Sequence, residues 1–525
     1  MTTQTKSIAK GVSILSITGI VCKLVGVLYS IPLARILGDQ GLGLFQTVFP
    51  TYNLLLTLSS AGLPVAVSRM VAHFLARNDP ANARRTFSIA LKILIAIGVC
   101  FSLMMGLSNG FLVRLVGVEE AARGFAAIAP CVAIVCALSA FRGFIQGQQN
   151  MVPTAISQLI EQVGKVAVSL PLAAAGMQRS MAEGAAGALL GITIVEAVAL
   201  GYMILLYLRN SRAFSRLPQD PGEPPMPGRQ LTRRLAAISV PITISACIIP
   251  LAQFIDSALM VNRMVSSGLA RDTATSLYGI FSGMVIRLIN IPTALALAIS
   301  MSLVPAISAV KAVEDGPAIR RETSTGLRYA FLIGFPCAVG MSILAKPILS
   351  FFYLETLSAE RLQTAAELLQ VSALTVVLFT VVQATSSILQ GLHKQMIPMY
   401  TMIAGVACKI VLNYLLIGTP GINIHGGPIA SIVCYSVAMI PNLYFTCRYA
   451  EMPFHWKEWV LRPGLAAGCM AAAVWGLKSL LPLGRLYTIL EIAVGVAVYG
   501  AVALLDHAIT KEDLKTFGRR GRRKA

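Results

Sequence analysis

Lys23, Lys92, Lys165, Arg287, Lys346 and Lys409 stand within or at the ends of stretches that are otherwise oily, with Glu161, Glu196 and Asp256 as acidic counterparts. A charged side chain at the centre of a bilayer costs about 2.5–3.5 kcal/mol on insertion scales, so each is a candidate for function. Arg287, in "IRLINIPTALA" (286–296), has no acidic neighbour within a helical turn. Asn290 shares its helix face three residues on, and Pro292 then removes a backbone donor. A guanidinium stays charged and grips phosphate with two parallel hydrogen bonds, so this face suits an anionic headgroup. The competing reading is a structural arginine paired with Asp256.

The other charges admit two readings each. Lys23 sits mid-run in "IVCKLVGV", too deep to snorkel, and either lines a cavity or serves structure. Arg35 reads as an interfacial anchor with Asp39 four residues on, or as a second cation for the headgroup. Glu161 and Lys165 have the i,i+4 spacing and order of a helical ion pair. Asp256 is either a cation- or proton-coupling carboxylate or the counter-ion of Lys23 or Arg287, and Asn413 is an amide that a cation site would use. Lys92 and Lys346 lie near span ends and can snorkel. No C-x-x-C pair occurs among ten cysteines, and the five histidines, at 73, 393, 425, 455 and 507, lack ligand spacing. No catalytic set and no metal site is expected.

The elements that carry these residues are membrane spans. The chain is 56% hydrophobic and only 13% charged, with mean hydropathy +0.73. At about 20 residues per pass, the apolar runs predict an all-α integral membrane protein of about fourteen helices. The first run continues to about Leu37, too long for a cleaved signal, and reads as the first span. About 28 basic residues fall on one side of the alternating connectors and about 9 on the other, which predicts both termini in the cytoplasm. The net charge of +20 is thus topological and excludes nucleic acid as a partner.

One long connector, 209–234, holds five prolines between 218 and 227 and reads as a cytoplasmic linker. The segments it separates resemble each other. "IQGQQNMVPTAISQLIEQVGKV" (145–166) matches "LQGLHKQMIPMYTMIAGVACKI" (389–410), with Gln146-Gly147 over Gln390-Gly391 and Lys165 over Lys409 at one shift of 244 residues. The repeat predicts a six-helix lobe over 1–208, a second over 235–450, a substrate site between them, two extra helices over 451–510 and a basic cytoplasmic tail, 511–525.

"RLINIPTALALAISMSLVPAIS" (287–308) resembles the eighth helix of the lipid II flippase family, and "KLVGVLYSIPLARILG" (23–38) resembles its first. "AGLPVAVSR" (61–69), "QGQQNMVPTAISQLIEQ" and "LAKPIL" are similar to the Gram-positive branch that includes stage V sporulation protein B and related polysaccharide exporters. The resemblance covers nearly the whole chain and implies the multidrug, oligosaccharidyl-lipid and polysaccharide exporter superfamily. It implies two six-helix lobes around a cavity, and two further helices that make a groove for a polyprenyl tail. It assigns Arg287, Lys23 and Arg35 to the headgroup. The pattern departs at Tyr29, where the family has a second arginine, at "NLLLTL" (53–58), where it has a basic pair, and at Ile417, where a sodium-site acid would stand.

The expected activity is that of a flippase, with no covalent chemistry and no cofactor. It would carry a polyprenyl-pyrophosphate-linked glycan, foremost the undecaprenyl-pyrophosphate peptidoglycan precursor lipid II, across the bacterial cytoplasmic membrane by alternating access. Lys23, Arg35, Arg287 and Asn290 would bind substrate. Asp256 and Asn413 are the cation or counter-ion candidates, and Na+, H+ or the membrane potential would supply the drive. Membrane lipids are the other partners, and a monomer is expected. The rivals are a cation-coupled multidrug exporter and an exporter of another polysaccharide intermediate. A membrane transferase lacks convergent carboxylates or histidines, and the intramembrane cations argue against a sporulation scaffold.

Overall fold

A computed structural model describes residues 3–107, 109–215, 226–480 and 484–508. The expected tail, 511–525, and the centre of the expected linker lie outside the described residues. Every regular element among the described residues is helical. The chain divides into two compact units, Met1–Gly283 and Met284–Ala525.

The first unit begins with α1 (Thr3–Ser60), α2 (Leu63–Ala76), α3 (Pro80–Leu107) and α4 (Asn109–Val116). It continues with α5 (Ala122–Gly147), α6 (Val152–Gly164), a π-helical segment (Lys165–Ser169), α7 (Leu170–Met177), α8 (Met181–Ser215), α9 (Gly228–Ser266) and α10 (Arg271–Tyr278). Thirteen stretches among the described residues are long and apolar enough to cross a membrane. The first of these, Leu28–Ala76, has 49 residues, twice the length of one pass. Gly38 breaks α1 within it at φ 66°, ψ −172°, a conformation essentially reserved for glycine. Two predicted passes therefore share one stretch, and the expected count of about fourteen stands.

α8 runs to Ser215 and α9 starts at Gly228, directly after Pro227, so helix extends into both ends of the predicted linker. Its end is tied down where the Met226 backbone N–H donates to Asn82 Oδ1 at 3.0 Å.

Prolines inside spans leave a carbonyl four residues earlier without its helical donor. Pro50 does this to Gln46, and the Tyr278 hydroxyl of α10 donates to that oxygen at 3.4 Å. The Gln46 amide in turn donates to the Ser282 carbonyl at 2.9 Å, inside the π-helical segment Gly279–Val285. Glycines make the crossing close enough: a Cβ on Gly43 would lie 2.2 Å from the Thr275 carbonyl oxygen.

The second unit contains α11 (Ile286–Ala312), α12 (Gly316–Ile343), α13 (Ala345–Tyr353), α14 (Ala359–Ser372) and α15 (Leu374–Gly391). α16 (Met396–Ile417), α17 (Gly426–Tyr449), α18 (Arg462–Leu480) and α19 (Arg485–Leu505) complete it. The final two helices pair with each other and pack on α12 through Met470, Val474, Tyr499 and Leu344. Pro336 interrupts α12 and frees the Leu332 carbonyl, which accepts from the Tyr499 hydroxyl at 2.7 Å. Lys478 donates to the Ile343 carbonyl near the end of the same helix, at 2.9 Å.

Candidate functional site

In the first unit, α1 carries Lys23, Arg35 and Asp39. Lys23 lies within the helix, but its side chain is outside the described residues. Arg35 is exposed, whereas Asp39 is buried and its Oδ1 accepts from the Gln40 N–H at 2.9 Å, just past the Gly38 break. Tyr29, standing at a position where the family pattern has arginine, is buried and hydrogen-bonded to Ser169 Oγ at 2.7 Å. Asp256 is half-buried on α9.

The expected Glu161–Lys165 pair is replaced by two pairs that cross between helices. Arg142, on α5, makes the ion pair with Glu161 and donates from Nε to Ser157 Oγ at 2.9 Å. Lys165 instead lies 3.8 Å from Glu196 Oε1 on α8. The Lys165 N–H still bonds the Glu161 carbonyl in α register, so the exchange is one of side chains: Arg142 takes the Glu161 carboxylate, and Lys165, at the start of the π-helical turn, meets Glu196 instead. Ser169 holds this turn against α8 by donating to the Ala188 carbonyl at 2.7 Å. Gly191 leaves room for it, since a Cβ there would fall 2.3 Å from Ser169 Cα. Glu161 and Glu196 face each other within the cluster, and Glu196 Oε2 has no hydrogen-bond partner among the described residues.

Sequence reasoning missed Arg142. Its signal was available: an arginine inside the apolar run "ALSAFRGFIQG" of α5, with Ser157 and Glu161 spaced i,i+4 on the next span.

The second unit carries Arg287 and Asn290, which lie in the first turns of α11, directly after the π-helical segment Gly279–Val285. Arg287 is half-buried and engaged by its surroundings, and Asn290 is exposed. The same helix forms one wall of a groove of about 660 Å³, through Leu288, Ile291, Pro292 and Leu295. Its other walls come from α12 and α13, with Pro336 and Phe352, and from α18 and α19, with Met470, Ile492 and Val496. One carboxyl, Glu491, lines it, and Thr488 spends its hydroxyl on the Gly484 carbonyl at 3.1 Å. Such a groove offers dispersion contacts to a hydrocarbon and almost nothing directional.

Asn413 is fully buried on α16, one turn beyond Lys409, and is not part of the groove wall. Among the described residues no three His, Cys, Asp or Glu side chains gather in a way that would hold a metal ion. Lys23, Arg35 and Asp256 belong to the first unit; Arg287, Asn290 and Asn413 belong to the second.

The family model described as polysaccharide biosynthesis protein matches residues 8–311, and the MatE model matches residues 241–415. Stage V sporulation protein B of Bacillus subtilis (strain 168) is 25% identical over 96% of this chain and 96% of its own. The lipid II flippase MurJ of the same organism is 25% identical over 95% of each chain. Among solved structures, an inward closed conformation of lipid II flippase MurJ aligns with TM-score 0.69 at 13% identity, over 93% of this chain and 97% of that one. An inward-facing multidrug resistance transporter of the MATE family aligns with TM-score 0.64 at 16% identity, over 85% and 100%. The chain belongs to the polysaccharide biosynthesis protein family and is a multi-pass membrane protein that shares its fold with the lipid II flippase MurJ and the MATE transporter.

Proposed function

We propose that this transporter is a flippase for a polyprenyl-pyrophosphate-linked glycan, with lipid II, the undecaprenyl-linked peptidoglycan precursor, as the leading substrate. One observation carries the reading: the helix that bears Arg287 and Asn290 is also a wall of the apolar groove. An amphiphile with an anionic head and a long hydrocarbon tail matches that pairing on a single element. Arg287 would grip the pyrophosphate, Asn290 would hydrogen-bond to the head, and Lys23 and Arg35 would add positive charge from α1. The tail would lie along α18 and α19. Two curated relatives named for lipid II flipping and for stage V sporulation support the same class.

No covalent bond changes in this cycle, so the drive must come from ions or voltage by alternating access. The membrane potential supplies about 2.3 kcal/mol per charge per 100 mV. Asp256 and Asn413 remain the cation or counter-ion candidates from the sequence. We place the protein in the cytoplasmic membrane as a monomer with both termini inside.

The test is to deplete the native flippases of a host cell, express this chain, and measure externally accessible precursor. Hydrogen bonds to charged groups are worth about 1.5–3 kcal/mol, so Arg287→Ala should lower exposure roughly ten- to a hundredfold at unchanged expression. Arg287→Lys should keep part of it, since the charge stays and the fork geometry goes. Full exposure in Arg287→Ala removes the headgroup role. The MatE match over residues 241–415 favours a second reading, cation-coupled drug export. That reading wins if the chain confers resistance to organic cations and leaves precursor exposure at the depleted level. Export of a different lipid-linked glycan with no rescue by lipid II would assign another polysaccharide intermediate.

A further inference from the structure

The four-residue charge cluster of the first unit, Arg142, Glu161, Lys165 and Glu196, has no part in the headgroup reading, yet it concentrates buried ionisable side chains on three neighbouring helices. We propose that Glu161 and Glu196 form a proton-binding site, in which one exchangeable proton is shared between the two facing carboxyl groups.

The geometry carries this. Arg142 satisfies Glu161 with a direct ion pair, reinforced through Ser157. Lys165 holds Glu196 only at 3.8 Å, beyond hydrogen-bond distance. Glu196 is 5% exposed, and its Oε2 is an orphaned acceptor. Gln158 Oε1, one turn before Glu161 on α6, is a second orphaned acceptor. Two carboxylates that face each other are both acceptors, and their like charges repel strongly away from water. A proton placed between them turns one oxygen into a donor and answers the orphan. It comes from bulk water and returns there, leaving a carboxylate behind.

Other groups around Glu196 are poor substitutes for that proton. From α5, Arg142 and Cys131 lie within electrostatic reach; from α6 and the π turn, Glu161 and Lys165; from α1, Tyr52. Cys22 of α1 lies near Arg142, Glu161 and Lys165. α7 brings no titratable side chain. With both carboxyls ionised the two cations and two anions cancel, so one proton makes the cluster singly positive. This puts the coupling ion among α5, α6 and α8 and names it H+, whereas the sequence pointed to Asp256 and Asn413. It leans on the flippase reading only for what the proton drives, since a cluster made positive attracts a pyrophosphate.

The protein in lipid nanodiscs, without substrate, should show by infrared difference spectroscopy a protonated-carboxyl band that titrates with pH. Glu196→Gln and Glu161→Gln should each abolish that component, whereas Asp256→Asn and Glu491→Gln should leave it. The proposal is overturned if both Gln variants, folded and monodisperse, titrate like the wild type. It is overturned too if sodium at fixed pH abolishes the band, which assigns the pair to a metal cation. Because no substrate is present, this result is independent of the export assay: a persistent band with no precursor export would remove the flippase reading and leave the proton site.

Discussion

Arg142 is enclosed enough that its side chain is 15% exposed and that of its partner Glu161 is 11%. Removing one member of such a pair leaves an uncompensated charge away from water, a loss on the order of 3–5 kcal/mol, whereas replacing both members with apolar groups of similar volume is close to neutral. Arg142→Met should therefore lower the thermal midpoint of the purified protein sharply, and Glu161→Met should do the same. The double variant Arg142→Met/Glu161→Met should recover most of the loss. Additive losses would show that the two side chains do not act as a pair. The same scale shows what could be read in advance. Arg287, Asn290 and Lys165 stand out in the sequence because lipid penalises charge and amides wherever they occur. The pairing of Lys165 with Glu196 does not stand out, because an ion pair across helices depends on rotation and register that no local spacing records. Glu161 and Lys165 illustrate the failure, since they keep the α register that the i,i+4 rule assumes and are still drawn to Arg142 and Glu196 on other helices.

At the level of elements, prolines recur inside spans, and at Pro50 and Pro336 a tyrosine hydroxyl meets the cost. Tyr499 of α19 serves the Leu332 carbonyl that Pro336 leaves open in α12. A hydrogen bond of this kind is worth about 0.5–1.5 kcal/mol net, and more when its loss strands a buried acceptor. Tyr499→Phe should destabilise the protein by about 1–2 kcal/mol in a reversible unfolding assay. Combined with Pro336→Ala, which restores an N–H to Leu332, most of that loss should disappear. Equal losses in both backgrounds would mean that the hydroxyl is not a substitute for the missing helical donor. The spans themselves were legible, because a bilayer tolerates little besides uninterrupted helix and marks each pass by hydropathy. The groove was legible only through family resemblance. Its lining is drawn from α11, α12, α13, α18 and α19, and the side chains concerned are ordinary leucines, isoleucines and valines among many.

Over the whole chain, surface ion pairs agree with the alternation of connectors. In the second unit, Arg320 meets Glu451 at 3.3 Å, joining the start of α12 to the segment after α17. Arg485 meets Glu355 at 2.8 Å, joining the start of α19 to the segment after α13. The basic bias predicts the first of these ends to be cytoplasmic and the second extracytoplasmic. A fluorescent protein fused after Glu451 should therefore fluoresce, and an alkaline phosphatase fused after Glu355 should be active. The inverse pattern would reverse the assigned orientation. The groove has a further consequence for selectivity. Dispersion contacts sum with the number of methylenes in register and are indifferent to any length of chain that extends past the wall. On the flippase reading, prenoid chains of different lengths would be accommodated alike, and discrimination would fall to the few polar side chains that meet the sugar-bearing end. A lineage could then exchange one exported glycan for another by altering those few positions, keeping the hydrocarbon cradle unchanged.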